Sequence, residues 1–179
     1  MSAMAREISA GGIVLHEISG VWHVALIEPH RSEENTSTSS KSSPKRRSGV
    51  LSLPKGLVDA GERAEAAAIR EVYEETGLRA EAIEKLADIK YVYQRSWSDG
   101  ERVFKIVSFY LMRYLSGEID DVTPEMRIEV KRALWIPLTD APSRMAHSSE
   151  RKLVEQARER VAAGFLAART VPSSTRKPL

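Results

Sequence analysis

The sequence predicts a single mixed α/β domain, with helices packed on a centre built mostly of strands. Three observations support this. Short apolar runs rich in Val, Ile, Leu and Tyr recur between turn signals, and two segments carry helical patterning with identifiable ends. The chain of 179 residues is long enough for one sizeable core and too short for two.

Residues 8–15 and 21–27 read as strands joined at Ser19-Gly20, a hairpin. Gly11 and Gly12 inside the first run predict a bulge or a close backbone approach. Residues 31–49 turn polar, serine-rich and basic, with no apolar anchor, which predicts a flexible insertion. Val50-Leu51-Ser52-Leu53 reads as a short strand stopped by Pro54, and residues 55–62 read as a loop. A helix follows from about Arg63 to Thr76, with Gly77 as its C-cap. Residues 87–93 and 103–114 are expected strands, and Asp99-Gly100 between them predicts an antiparallel hairpin. Residues 133–136 form a last short strand, and a terminal helix runs from Ser149 to about Ala168, capped by Ser148 or Ser149. One domain is therefore expected over residues 1–169, followed by a disordered tail at 170–179.

Composition excludes several classes of function. Hydrophobic residues at 42% and charged residues at 29% are those of an ordinary soluble globular chain, and a net charge of +2 argues for no nucleic-acid or membrane partner. The absence of cysteine excludes a disulfide framework and thiolate catalysis, and it suits a reducing cytoplasm. No apolar run approaches the roughly 20 residues of a membrane span, and Arg6 and Glu7 interrupt any signal core. A cytoplasmic location is the expectation.

The segment with chemical content is Gly56 to Leu78. On a helix of about 100° per residue, Glu71, Glu74 and Glu75 fall on one side, with Ile69, Val72, Tyr73 and Thr76 opposite and free to face a core. Like charges at these spacings repel, and they sit in the helix half where the dipole disfavours anions. Arg70 offsets part of that charge. A hard divalent cation such as Mg²⁺, which takes oxygen ligands from carboxylates and phosphates, would resolve the rest. Lys55 and Arg70 bring cations that could meet phosphate oxygens, and Gly56 permits close backbone approach.

The spacing Gly56, five residues, Glu62, seven residues, then Arg70-Glu71-Val72, Glu74-Glu75 and Gly77-Leu78 resembles the Nudix box at every defining position. Ser9-Ala10-Gly11-Gly12, Leu53-Pro54-Lys55-Gly56 and Leu134-Trp135-Ile136-Pro137 extend the resemblance over about residues 6–165, leaving out the insertion. The family's fold is a mixed β-sheet sandwiched between α-helices. Its members hydrolyse a nucleoside diphosphate linked to another group, using Mg²⁺ with Mn²⁺ as a substitute. Carried over by position, the resemblance gives Glu71 and Glu75 as principal metal ligands, with Glu74 and the Gly56 carbonyl beside them. Arg70 becomes the residue that orients these carboxylates, and Glu62 a supporting partner. The general base stays open between the box residues Glu71 and Glu74 and a later-loop glutamate, Glu125 or Glu129; of the latter pair Glu129 is preferred, from its spacing to Trp135.

Leu-Pro-Lys-Gly with the box looks most like the hydrolases of diadenosine polyphosphates, and Tyr93 lies near a tyrosine common in that subgroup. Lys55 and Lys105 would touch the phosphate chain, while Tyr91, Tyr93 and Trp97 would stack a base, worth about 1–3 kcal/mol each. Trp135 is expected in the core. Pyrophosphohydrolysis of a nucleoside triphosphate is the nearest alternative. A non-catalytic binding module using Lys41, Lys45, Arg46 and Arg47 is a further one, and the repulsive glutamate cluster counts against it.

Overall fold

The computed structural model describes residues 4–30, 50–95, 100–164 and 166. The insertion 31–49, Trp97 and the tail 170–179, for which the sequence raised expectations, lie outside them. Six strands form one mixed sheet: β1 (Ala5–Ile18), β2 (Val21–Pro29), β3 (Lys55–Leu57), β4 (Arg79–Gln94), β5 (Arg102–Ser116) and β6 (Val130–Pro137). The path runs β4-β5-β1-β2-β6, with β3 added on β1. β1 organises it. Along one edge it runs parallel to β5; along the other it pairs antiparallel with β3 through Ser9–Gly11 partners and with β2 from Leu15 onward. The β1–β2 hairpin turns at Ser19 and Gly20, both with positive φ.

Side chains alternate across the sheet, so each face has its own core. One face carries Ile13, Leu15, Val107, Phe109 and Leu111 against Leu153, Val154 and Ala157 of the terminal helix α3 (Ser148–Ala162). The opposite face carries Ala10, Val14, Tyr110 and Met112 against Ala67, Ala68 and Val72 of α1 (Ala64–Thr76). The sheet therefore lies between helices. No helix among the described residues is long and apolar enough to cross a membrane.

Several local expectations need correction. The strand placed at 50–53 lies after the proline, at β3; Leu51 and Ser52 make only isolated bridges. Pro54 has no N–H for a ladder, but its carbonyl accepts the Gly12 N–H at 3.2 Å, which delivers Lys55 onto β1. Gly11 and Gly12 are sites of close approach, and the β1–β5 register runs through them without a bulge. β4 is far longer than expected, whereas β5 exceeds the expected 103–114 by only one residue before it and two after it. Register shifts between Arg79/Ala80, Ala82/Glu84 and Lys85/Ala87 break the period-two pattern that reveals a strand. β6 likewise extends beyond 133–136. The short helix α2 (Ala141–Arg144) and a 3-10 turn at Met126–Ile128 were not anticipated. α3 is capped at His147, not at a serine, and ends at Ala162.

Candidate active site

α1 starts at Arg63 and stops at Gly77, whose left-handed backbone (φ 80°) lets its N–H reach the Tyr73 carbonyl. Its packed side keeps the expected Val72 and Thr76 but not Tyr73. Ala67, Ala68, Val72 and Thr76 are buried, whereas Tyr73 is 46% exposed and lies under the Arg79 guanidinium, 4.8 Å from the ring centre. Small alanines bring the helix axis close to the sheet, so the two carboxylates next to that stripe are covered as well. Glu71 and Glu75 are only 8% and 6% exposed and do not project into solvent.

The segment that covers them is Lys55-Gly56. The Lys55 N–H donates to Glu75 Oε2 at 2.8 Å. Gly56 lies so near the Glu71 carboxylate that a Cβ there would collide with it. Arg70 organises the other side. Its Nε and Nη2 donate to the two Glu62 oxygens, each at 2.9 Å, while Nη1 donates to Glu71 at 2.8 Å and to Glu74 at 3.1 Å, and Nη2 also reaches the Leu57 carbonyl at 2.9 Å. One planar guanidinium thus ties three glutamates to β3.

Electrostatics separates these acids. Hydrogen bonds from Arg70, then from the Asp59 amide, hold the Glu62 carboxyl down to about 2. Burial pushes Glu75 up to about 8 against the pull of Lys55, and the Glu71 and Glu129 charges add to the rise. Burial also raises Glu71; Arg70 opposes the shift and Glu74 and Glu129 reinforce it. Glu129, exposed at the end of the 3-10 turn, adds to the rise at both buried carboxylates, and its carbonyl accepts the His30 N–H at 2.9 Å.

These residues fit a hard divalent cation. Glu71 and Glu75 are buried, and their ionised forms repel each other and Glu129, a repulsion that such an ion would offset. Gly56 lets the Glu71 carboxylate lie against the β3 backbone, where any side chain would collide with it. Among the described residues no three acidic or histidine side chains already encircle one point, and Glu74 turns toward Arg70. Glu71, Glu75 and the Gly56 carbonyl are the better candidates.

On the α3 face a cavity of about 470 Å³ opens beside Lys55. Tyr91, Tyr93, Lys90 and Lys105 from β4 and β5 line it, with His147 and Glu150 from the start of α3. Three of the expected substrate contacts, Lys55, Tyr93 and Lys105, thus meet in one cavity; Trp97 is outside the described residues. Tyr93 is held upright by Glu7, which accepts its hydroxyl at 2.7 Å, Arg95 at 2.7 Å and an ion pair from Lys105 at 3.6 Å. Burial, then the Glu7 bond, pushes the Tyr93 phenol up to about 12, so it stays a donor. Tyr91 and Tyr93 rings lie 6.3 Å apart. Trp135 is half-buried on the other face, edge-on to Tyr114.

Sequence reasoning missed Glu7 and Glu150. Period-two alternation places Glu7 on the inward face of β1 with Ser9, Ile13 and Leu15, a signal available in retrospect. Glu150 carried none, because an acid in the first turn of a helix is ordinary dipole chemistry.

A helix presenting buried glutamates to a glycine-lysine strand thus lies beside a cationic and aromatic cavity. The family model described as NUDIX domain matches residues 29–157, and the chain belongs to that family. A protein of Mycobacterium tuberculosis named "Putative mutator protein MutT4" is 40% identical over 158 residues, covering 86% of this chain and 55% of its own length. The chain thus spans little more than half of that relative. A crystal structure of a C. elegans Ap4A hydrolase binary complex superposes with a TM-score of 0.59 at 22% identity, covering 89% of this chain and 99% of that one. The MutT NUDIX hydrolase of Burkholderia pseudomallei gives 0.56 at 25% identity, covering 84% and 97%.

Proposed function

We propose that the protein is a divalent-metal-dependent pyrophosphohydrolase that cleaves a nucleoside diphosphate linked to another group, with a dinucleoside polyphosphate such as diadenosine tetraphosphate as the substrate class. The observation that carries this reading is the double placement of Lys55. Its backbone holds Glu75, and its side chain lines the cavity that contains Tyr91, Tyr93 and Lys105. A base stacked on the tyrosines would lead its phosphate chain past Lys105 and Lys55 toward the carboxylates.

Glu71, Glu75 and the Gly56 carbonyl would hold Mg²⁺ or Mn²⁺, with Glu74 beside them. When bound, such an ion would supply positive charge against the phosphate oxygens and lower the pKa of the attacking water. Arg70 fixes the direction of the Glu71 and Glu74 carboxylates. Lys55 and Lys105 bind non-bridging phosphate oxygens, which places phosphorus for in-line attack. Glu129, exposed and adding to the rise at both buried carboxylates, accepts the proton of the attacking water at its carboxylate. Tyr93, locked by Glu7, orients the base.

Cleavage of a nucleoside triphosphate to release pyrophosphate is the second reading, favoured by the 40% identity to the MutT4 relative. Product identification decides between them. Purified protein with Mg²⁺ is given diadenosine tetraphosphate, diadenosine hexaphosphate, dGTP, 8-oxo-dGTP and ADP-ribose, with Glu75→Gln as control. Preferred cleavage of the dinucleotides to mononucleotides supports the first reading, and preferred pyrophosphate release from a triphosphate the second. Nucleotide binding without turnover in any case removes catalysis.

A further inference from the structure

Glu150 is a carboxylate 3% exposed in the first turn of α3, yet it serves no cap of its own helix. Its Oε2 instead accepts the Leu53 N–H at 2.9 Å, across 97 residues of sequence, and its Oε1 lies 4.0 Å from the Lys55 ammonium. The same short segment is bonded to α1 at its other end, through the Lys55 N–H to Glu75 and the contact of Gly56 with Glu71. Segment 53–56 is therefore strung between a buried carboxylate of α3 and two buried carboxylates of α1. Upstream it is steadied by the Leu51 N–H to the Arg144 carbonyl at 3.0 Å. A buried carboxylate is costly unless it makes directed bonds, and both of its contacts end on residues that shape the site.

We propose that Glu150 is a positioning residue. Its bond to Leu53 sets the height of the turn, so that the Lys55 amide meets Glu75 and Gly56 seats against Glu71. Its charge aims the Lys55 ammonium at the join between cavity and carboxylates. The proposal rests on the reading that Glu71 and Glu75 hold the cation. It assigns α3, which contributes no ligand, control over cation affinity.

The test uses Glu150→Ala and Glu150→Gln in the full chain. Glutamine keeps an acceptor for the Leu53 N–H and loses the charge facing Lys55. Mn²⁺ binding is measured by calorimetry without nucleotide; kcat and KM are measured with Mg²⁺ on the substrate the panel selects. Glu150→Ala is expected to weaken Mn²⁺ binding and lower kcat by about 10- to 100-fold, the range for supporting groups around metal ligands. Glu150→Gln should restore Mn²⁺ affinity to near that of the wild type and raise KM several-fold with kcat kept. Wild-type Mn²⁺ affinity and kcat in Glu150→Ala, with only a lowered Tm, would make Glu150 a simple staple and overturn the proposal. If Glu150→Ala does not fold, a cycle of Glu150→Gln with Lys55→Met decides. Effects on KM that overlap support it, and strictly additive effects overturn it. A wild-type protein that neither binds Mn²⁺ nor cleaves any nucleotide overturns the proposed function and this inference together. A wild type that does both, with unaffected variants, overturns this inference alone.

Discussion

Gly56 and the Glu71 carboxylate occupy adjoining space so closely that the backbone of one forms the wall of the other. α1 and β3 are thereby joined at a point where no side chain fits. Gly56→Ala should cost about 1–3 kcal/mol through overpacking and should displace Glu71 from its bond to Arg70. The expected result is a lowered Tm together with a loss of most metal-dependent turnover. An alanine variant of unchanged activity would show that Glu71 has room to retreat.

Arg70 makes five hydrogen bonds with one planar group. Lysine keeps the charge but not the fork. Arg70→Lys is expected to reduce Mn²⁺ affinity by about 10- to 100-fold, as for other groups that orient metal ligands. Calorimetry checks this, and an affinity equal to wild type would reduce Arg70 to a counter-charge.

Tyr93 combines a ring in the cavity with a hydroxyl on Glu7. Tyr93→Ala should raise KM in line with the loss of about 1–3 kcal/mol of stacking, with kcat largely retained. Tyr93→Phe, which keeps the ring, should lie between alanine and wild type. Equal KM values for all three would place the base elsewhere.

Acid stability tests the ion pairs that join β2 to β6. The Arg132 hydrogen bond, then that of Lys131, outweighs burial and holds Glu28 below its ordinary value of 4.5. A carboxylate depressed in the folded state stabilises fully above its unfolded pKa, and the contribution fades as pH falls through the folded pKa. Glu28→Gln should therefore cost about 1 kcal/mol of stability near neutrality, read as a lowered Tm, since both partners are half exposed. The gap should close below pH 4.5. A gap constant across that range would assign the effect to packing.

The box was legible because its chemistry is local. Nine positions within one helix and the loop before it fix which carboxylates share a side, and no fold is needed to see that. Burial was not legible. Whether Glu71 and Glu75 face water depends on Lys55-Gly56 lying over them, and on Ala67 and Ala68 drawing α1 close to the sheet. Tyr73 was assigned to the core by its apolar ring, whereas the alanines set the packed side. β4 was read short because three register shifts scramble its alternation. Glu150 to Leu53 and Glu7 to Tyr93 join residues 97 and 86 apart in sequence, where neither pattern nor propensity reaches.

The two faces of the sheet divide the work: carboxylates under α1 on one, the tyrosine- and lysine-lined cavity beside α3 on the other, with residues 53–56 as the crossing. Substitutions that reshape the cavity walls leave α1 and its bonds untouched, provided the crossing keeps its anchors. On the proposed function, such a molecule can diversify in what it selects without disturbing the acids assigned to cutting, and the residues least free to drift are those of the crossing itself.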